Sequence, residues 1–375
     1  MPAIAEIEDL KRLYKRRVPK MFYDYCESGS WTEQTFRDNS SDFDLIRLRQ
    51  RVAVDMTNRT TKSQMIGTDV AMPVALAPVG SQGMQHADGE ILAAKAAEKF
   101  GVPYTLSTMS VCSIEDVAEN TSAPFWFQLY VMNDRKFEKA ALERAKAAGC
   151  SARNNDVRNG LTVPIKPSLH NIVDLATKWR WIYGMAKTKR HSFGNIVGHI
   201  DGISDMTSLS AWAAESFDPK LDWERVKEIK KLWGGPLILK GILDAEDAKM
   251  ALQVGADAII VSNHGGRQLD GAMSSIKTLP SIMDAVGDKV EVHLDGGIRS
   301  GQDVLKALAM GAKGTYIGRS FIYGLGAMGQ HGVAEALRVI HNELDITMAL
   351  CGERDVANLG KHNLLIPKNF EGDWV

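Results

Sequence analysis

Histidine and arginine stand three residues apart, with two glycines between them, in Val261-Ser-Asn-His-Gly-Gly-Arg-Gln-Leu-Asp-Gly271, directly after the apolar run Ala258–Val261. An imidazole can accept a proton near neutral pH. A guanidinium can hold a carboxylate or a phosphate through two parallel hydrogen bonds. Lys240 ends a second apolar run, Leu237-Ile-Leu239, and a lysine buried there needs an anionic or electron-rich partner. Asp295-Gly-Gly-Ile-Arg299 and Ile317-Gly-Arg319 each join glycine to arginine, a combination that brings backbone N–H groups and charge to an anion such as phosphate. Taken singly, His264 reads as a satisfied loop residue, the arginines as surface ion-pair partners, and Gln128 and Tyr130 as strand-end hydrogen bonders. Their convergence on one rim is what argues for a site.

The elements that must carry these groups follow a repeat: an alanine-rich helical stretch, a glycine break, then a short apolar run ending in polar residues. Ala93–Phe100, Glu246–Val254 and Asp303–Met310 lead in this way to Val102–Ser107, Ala258–Ser262 and Gly314–Gly318. Glycine suits a left-handed helix cap, and each apolar run has the length of a strand buried on both faces. Further strands are expected at Val74–Ala77, Phe125–Val131, Pro236–Lys240 and Val290–Asp295. Alternation of strands and helices implies parallel pairing, and so a single (β/α)8 TIM barrel over residues 1–375, with a doubly wound open sheet as the competitor. In a barrel, Ser107, Gln128, Tyr130, Lys240, His264, Arg267 and Asp295 share the C-terminal rim, where the last two βα loops customarily bind phosphate. One repeat is broken. After Leu142–Ala148 and Gly149, an apolar strand should follow Ala152, but the chain reads Arg153-Asn-Asn-Asp156. The fourth barrel strand is therefore expected to be missing.

The composition excludes several classes. A net charge of −1 argues against a nucleic-acid binder. The four cysteines are scattered without metal-ligand spacing, so no metal site and reduced thiols are expected. Charges throughout Glu6–Arg17 rule out a signal-peptide core there. One segment differs, an inserted loop region over 160–215. At about 166–191 six cations face one carboxylate, Asp174, among Leu169, Ile172, Val173, Leu175, Trp179, Trp181, Ile182, Tyr183 and Met185. Basic residues mixed with tryptophan and tyrosine suit the interface of a membrane. The same composition fits RNA binding, or a helix docked on the barrel.

These motifs, with Tyr23-Asp-Tyr25, Leu76-Ala-Pro-Val-Gly80, Thr105-Leu-Ser-Thr108 and Trp126-Phe-Gln-Leu-Tyr130, resemble over nearly the whole chain the FMN-dependent α-hydroxy-acid dehydrogenase/oxidase family, and most of all its membrane-associated bacterial L-lactate dehydrogenase branch. The resemblance implies that His264 is the active-site base and that Arg267 pairs with the substrate carboxylate. Tyr25 and Tyr130 would contact substrate, and Arg153 would take the place of a further substrate-contacting arginine. Pro78, Val79, Gly80, Ser107, Gln128 and Lys240 would hold the flavin of FMN. Asp295 would meet the ribityl chain, and Gly296, Gly297, Arg299, Gly318 and Arg319 would hold the phosphate. Glycine at 80, where oxidases of the family commonly carry alanine, hints at a dehydrogenase.

The resemblance further implies oxidation of L-lactate, a small 2-hydroxy acid, to pyruvate, with electrons passed to membrane quinone. It implies a peripheral site on the cytoplasmic face of the inner membrane, reached through the 166–191 segment, and a homotetramer. Mandelate dehydrogenase, or glycolate or lactate oxidase using oxygen, is the alternative within the enzyme class. At the broken repeat the family carries Thr-x-Asp, the aspartate pairing with the catalytic histidine. Without that strand the chain could be a non-catalytic flavin-binding protein.

Overall fold

A computed structural model describes residues 3–156, 171–200 and 218–372. Eight parallel strands carry the architecture: β1 (Val74–Leu76), β2 (Thr105–Ser107), β3 (Trp126–Tyr130), β4 (Ala152–Asp156), β5 (Leu237–Ile242), β6 (Ala258–Val261), β7 (Glu291–Asp295) and β8 (Gly314–Ile317). Each pairs with the next from β2 to β8, and β8 pairs with β1. A parallel bridge between Leu76 and Tyr104 joins β1 to the start of β2, so the sheet closes on itself as a barrel. The open-sheet alternative is thereby excluded.

The helices start where the sequence offers caps. Asp134, Asp222, Asp244, Ser274 and Ser300 each accept a backbone N–H of the helix they precede, filling donors that would otherwise lack partners. The repeat glycines Gly101, Gly149, Gly255 and Gly311 all have positive φ, as a left-handed helix end requires. Side chains alternate along the strands. Leu237 and Leu239 of β5 join the core shared with the helices, whereas Ile238 packs inside the barrel with Trp126, Ala152, Ala258, Ile260 and Tyr316. The hairpin Ser63–Met65/Thr68–Val70 adds Met65 and Val70 to that interior cluster.

The fourth strand is present, contrary to the expectation from its polar sequence. Ala152–Asp156 pairs with β3 over five residues and with β5 over four, and every residue in it is buried. Without it, the backbone groups of both neighbours would face each other across a gap, and unpaired buried backbone is costly. That demand overrides the absence of an apolar pattern. The alternation also helps, because Asn154 and Asp156 fall on the inward face with Ala152 while Arg153 and Asn155 point outward.

Arg153 is the expensive member. Its Nη1 donates to the Ile229 carbonyl at 3.4 Å and its Nη2 to Asn155 Oδ1 at 3.1 Å. The nearby buried carboxylate, Glu138, is paired with Arg225 at 2.6 Å, so Arg153 has no ion-pair partner of its own among the described residues. Burial, partly offset by Glu138, pushes the Arg153 pKa down to about 9. The charged form is the disfavoured one, so at neutral pH the penalty is carried in full and is relieved only as pH rises through that value. Replacing Arg153 by leucine keeps the Glu138–Arg225 pair and removes the surplus charge. We expect a gain of about 1–4 kcal/mol, by analogy with other buried ions exchanged for apolar groups, measured as a higher urea midpoint for Arg153→Leu.

The basic aromatic segment forms two short helices, Asn171–Ala176 and Trp179–Lys187; its beginning, with Lys166 and Leu169, lies outside the described residues. It docks on the helices Lys20–Glu27 and Gln82–Gln85. Asp174 accepts from the Lys20 amide at 2.6 Å, Trp181 packs on Phe22 with ring centroids 5.5 Å apart, and its indole donates to the Met84 carbonyl at 2.9 Å. Trp179, Ile182 and Tyr183 remain exposed on the other side. A docked helix ordinarily turns its polar face outward; this one presents an apolar stripe rimmed by Arg180 and Lys187, which lie over the rings of Trp179 and Tyr183. No helix among the described residues is long and apolar enough to cross a membrane.

Candidate active site

At the C-terminal ends of β4 to β7 the inward-facing polar side chains meet. Lys240 is almost fully buried and its Nζ lies 3.0 Å from Asp295 Oδ2 and 3.0 Å from Ser262 Oγ. Ser262 Oγ donates to Asp295 Oδ2 at 3.1 Å and accepts from the His264 backbone N–H at 3.1 Å. His264 Nδ1 lies 3.5 Å from Asp156 Oδ2 and 3.5 Å from Lys240 Nζ. One imidazole thus has a carboxylate on the fourth strand and an ammonium on the fifth, both directed at the same ring nitrogen. An adjacent carboxylate favours the protonated ring.

Asp156 and Ser262 belong to this cluster, and sequence reasoning missed both. The signal for the first was present, since Asn154-Asn155-Asp156 keeps the family's Thr-x-Asp spacing with asparagine in place of threonine. Arg153 is not brought to this site: it lies on the outward face of β4, against Ile229. An alternation of one residue separates a group at the mouth from one behind the wall.

One layer deeper, Ser107 Oγ donates to Gln128 Oε1 at 2.8 Å. Gln128 Nε2 and both amide atoms of Asn154 are buried and without hydrogen-bond partners among the described residues. Gln128 and Asn154 sit opposite each other on β3 and β4. Buried carboxamides left unsatisfied side by side inside a barrel mouth are groups awaiting a polar ligand. A flavin, whose pyrimidine edge alternates donors and acceptors, fits them.

Arg267 flanks the mouth. Arg267 Nη1 donates to the carbonyls of Tyr25 and Ser28 at 2.6 and 2.9 Å, and its guanidinium lies 4.7 Å over the Tyr25 ring. Among the described residues both of these bonds use Nη1, which leaves the opposite edge of the fork for an anion. Tyr130 closes β3, its backbone N–H donating to Thr108 Oγ1 at 3.1 Å. Val79, in the loop after β1, accepts at its carbonyl from Gln82 Nε2 at 3.0 Å, next to Pro78 and Gly80.

The glycine-arginine pairs lie at the ends of β7 and β8. Gly297 has φ +84°, and a Cβ there would fall 1.9 Å from the Asn39 carbonyl oxygen. The close approach it allows is therefore to the helix Gln34–Leu45. Gly318 precedes a helix that begins at Arg319 and is broken by a kink at Met328 and Gly329 before the chain continues helically to Leu350, and a helix N-terminus attracts a phosphate. Arg299 donates its backbone N–H to Asp303 Oδ2 at 2.9 Å.

The family described as FMN-dependent dehydrogenase matches residues 14–366. An L-lactate dehydrogenase of Haemophilus influenzae (strain PittEE) is 43% identical over 369 residues, covering 95% of this chain and 97% of the relative. One from Caulobacter vibrioides (strain NA1000 / CB15N) is 42% identical over 372 residues, covering 96% and 97%. Among solved structures, a monotopic membrane protein, (S)-mandelate dehydrogenase, superposes with a TM-score of 0.91 at 31% identity, covering 98% of this chain and all of that one.

Proposed function

The chain belongs to the FMN-dependent dehydrogenase family, and from that premise we propose that it oxidises L-lactate to pyruvate and delivers the electrons to a membrane quinone. The observation that carries the reading is the cluster of Asp156, His264, Lys240 and Asp295 at one barrel mouth. The L-lactate dehydrogenase relatives support the choice of substrate.

FMN, the cofactor of the family, supplies a two-electron acceptor when bound. Ser107, Gln128, Asn154 and Lys240 would hold its flavin with the Pro78–Gly80 loop, Asp295 its ribityl chain, and Gly296, Gly297, Arg299, Gly318 and Arg319 its phosphate. Arg267 grips the lactate carboxylate, with Tyr25 and Tyr130 beside it, and so fixes the α-carbon in register with the base. His264 takes the hydroxy-acid proton on Nε2, its Nδ1 being turned toward Asp156. The Asp156 carboxylate then stabilises the imidazolium. Lys240 supplies a buried positive charge where negative charge develops.

Anaerobic L-lactate should bleach the flavin absorbance of the purified protein in a phase that a stopped-flow experiment resolves, while D-lactate leaves it unchanged. Faster bleaching by mandelate would transfer the assignment to the mandelate dehydrogenases that the fold also resembles. No bleaching by any 2-hydroxy acid would leave a flavin-binding protein.

The exposed stripe of the Trp179–Lys187 helix supports attachment to a membrane surface, its rings at headgroup depth and its cations toward the phosphates. Trp179→Ser, Ile182→Ser and Tyr183→Ser together should move the protein from the vesicle pellet to the supernatant and leave lactate-driven bleaching in solution intact. Undiminished sedimentation with vesicles would count against the attachment.

A further inference from the structure

Arg319 is placed to do more than meet a phosphate. Its Nε donates to the Cys26 carbonyl at 2.8 Å, its Nη2 to the Ser28 carbonyl at 2.9 Å, and its Nη1 to the Gly265 carbonyl at 2.9 Å. Its guanidinium also lies 4.5 Å over the Phe36 ring. Two chain segments are tied together by this one side chain: the C-terminal end of the helix Lys20–Glu27 with its cap Ser28, and the turn that carries His264.

The second turn needs holding. His264, Gly265 and Gly266 have φ of +58°, +65° and +73°, three successive residues in the left-handed region, where a side chain such as that of His264 is strained. Such a conformation persists only when its surroundings over-determine it. Gly265 lacks the Cβ that would stand 2.7 Å from Arg319 Nη1, so the absence of a side chain there admits the guanidinium. The Ser30 N–H donates to the Gly266 carbonyl at 2.9 Å and completes the tie between the segments. A guanidinium has five N–H donors, and three are used on the carbonyls. Among the described residues, two are left for an anion.

We infer that Arg319 is the positioning residue of the active site: it holds the His264 turn in its left-handed conformation and locks it to the helix end Tyr25–Ser28 on which Arg267 rests. The base and the carboxylate-binding arginine thereby keep a fixed separation. This inference rests on the assignment of His264 as the base, and it is tested without substrate. In full-length protein saturated with FMN, Arg319→Ala should speed hydrogen exchange at the Ser30 and Gly266 amides about tenfold through local opening. Arg319→Lys, which restores part of the donor set, should give a smaller increase and recover part of kcat. A role confined to phosphate binding predicts weaker FMN retention with unchanged exchange at both amides once FMN is saturating, and that result overturns the inference. Should Arg319→Ala not fold, Arg319→Lys decides alone: faster exchange at both amides supports the clamp, and unchanged exchange overturns it. Because exchange is read without hydroxy acid, a failure of lactate to reduce the flavin would be seen separately.

Discussion

His264→Gln should lower the rate of flavin reduction by L-lactate about 10⁴-fold, the upper range for loss of a positioned general base. Glutamine can hydrogen-bond but cannot take a proton at any working pH. FMN content should be unaltered, since the residues proposed to hold the cofactor lie on other strands and loops. Asp156→Asn is the companion experiment. With Asp156 Oδ2 3.5 Å from His264 Nδ1, removing its charge takes away a partner of the imidazolium and should cost about 10²-fold in rate. The sign of the accompanying pH effect follows from the same geometry. A carboxylate beside the ring holds the proton on to higher pH, so without it the ring becomes neutral, and able to accept a proton, at lower pH. The acid limb of the pH–rate profile should move to lower pH in Asp156→Asn. An acid limb that stays in place would mean that Asp156 does not act on His264.

That companion prediction depends on a strand that the sequence concealed. Seven barrel strands were legible as short apolar runs, three of them directly after a glycine-closed helix, and each lies within a few residues of the expected place. β4 was not, because nothing in Arg153–Asp156 makes it a strand by itself. Its pairing is dictated by the open backbone edges of β3 and β5, which are non-local. The same limit applied within the site. His264, Lys240, Gln128 and Asp295 could be named from chemistry and strand-end position, but Arg153, which the resemblance puts at the site, lies behind the wall, and spacing alone does not tell the inner face of an undetected strand from the outer. Ser262, which links Lys240, Asp295 and the His264 amide, looked like one more small polar residue. The Arg319 contacts were out of reach for another reason, since Cys26 precedes Arg319 by 293 positions. Side-chain chemistry can be read along a chain, but closure of a barrel and clamps between distant turns have to be seen in space.

Lys240→Met should lower flavin reduction by L-lactate about 10²–10³-fold, the range for removing one preorganised stabilising donor. It should also make the bound flavin harder to reduce. Methionine keeps much of the length and volume of lysine, so the change isolates the charge. In the native site the ammonium lies 3.0 Å from Asp295 Oδ2 and 3.5 Å from His264 Nδ1, and it therefore acts in two directions. It offsets the Asp295 carboxylate, and it opposes protonation of His264. Its loss leaves two carboxylates, Asp156 and Asp295, around a site where further negative charge must develop. Retention of the proton by His264 to higher pH follows, so the acid limb of the pH–rate profile should move up, opposite in direction to Asp156→Asn. The flavin reduction potential, measured by dye equilibration, should fall. A double variant, Lys240→Met with Asp295→Asn, removes both partners of the buried pair and should recover part of the potential, because the uncompensated carboxylate goes with it. An unchanged potential in Lys240→Met would place the ammonium away from the flavin and restrict it to holding Asp295.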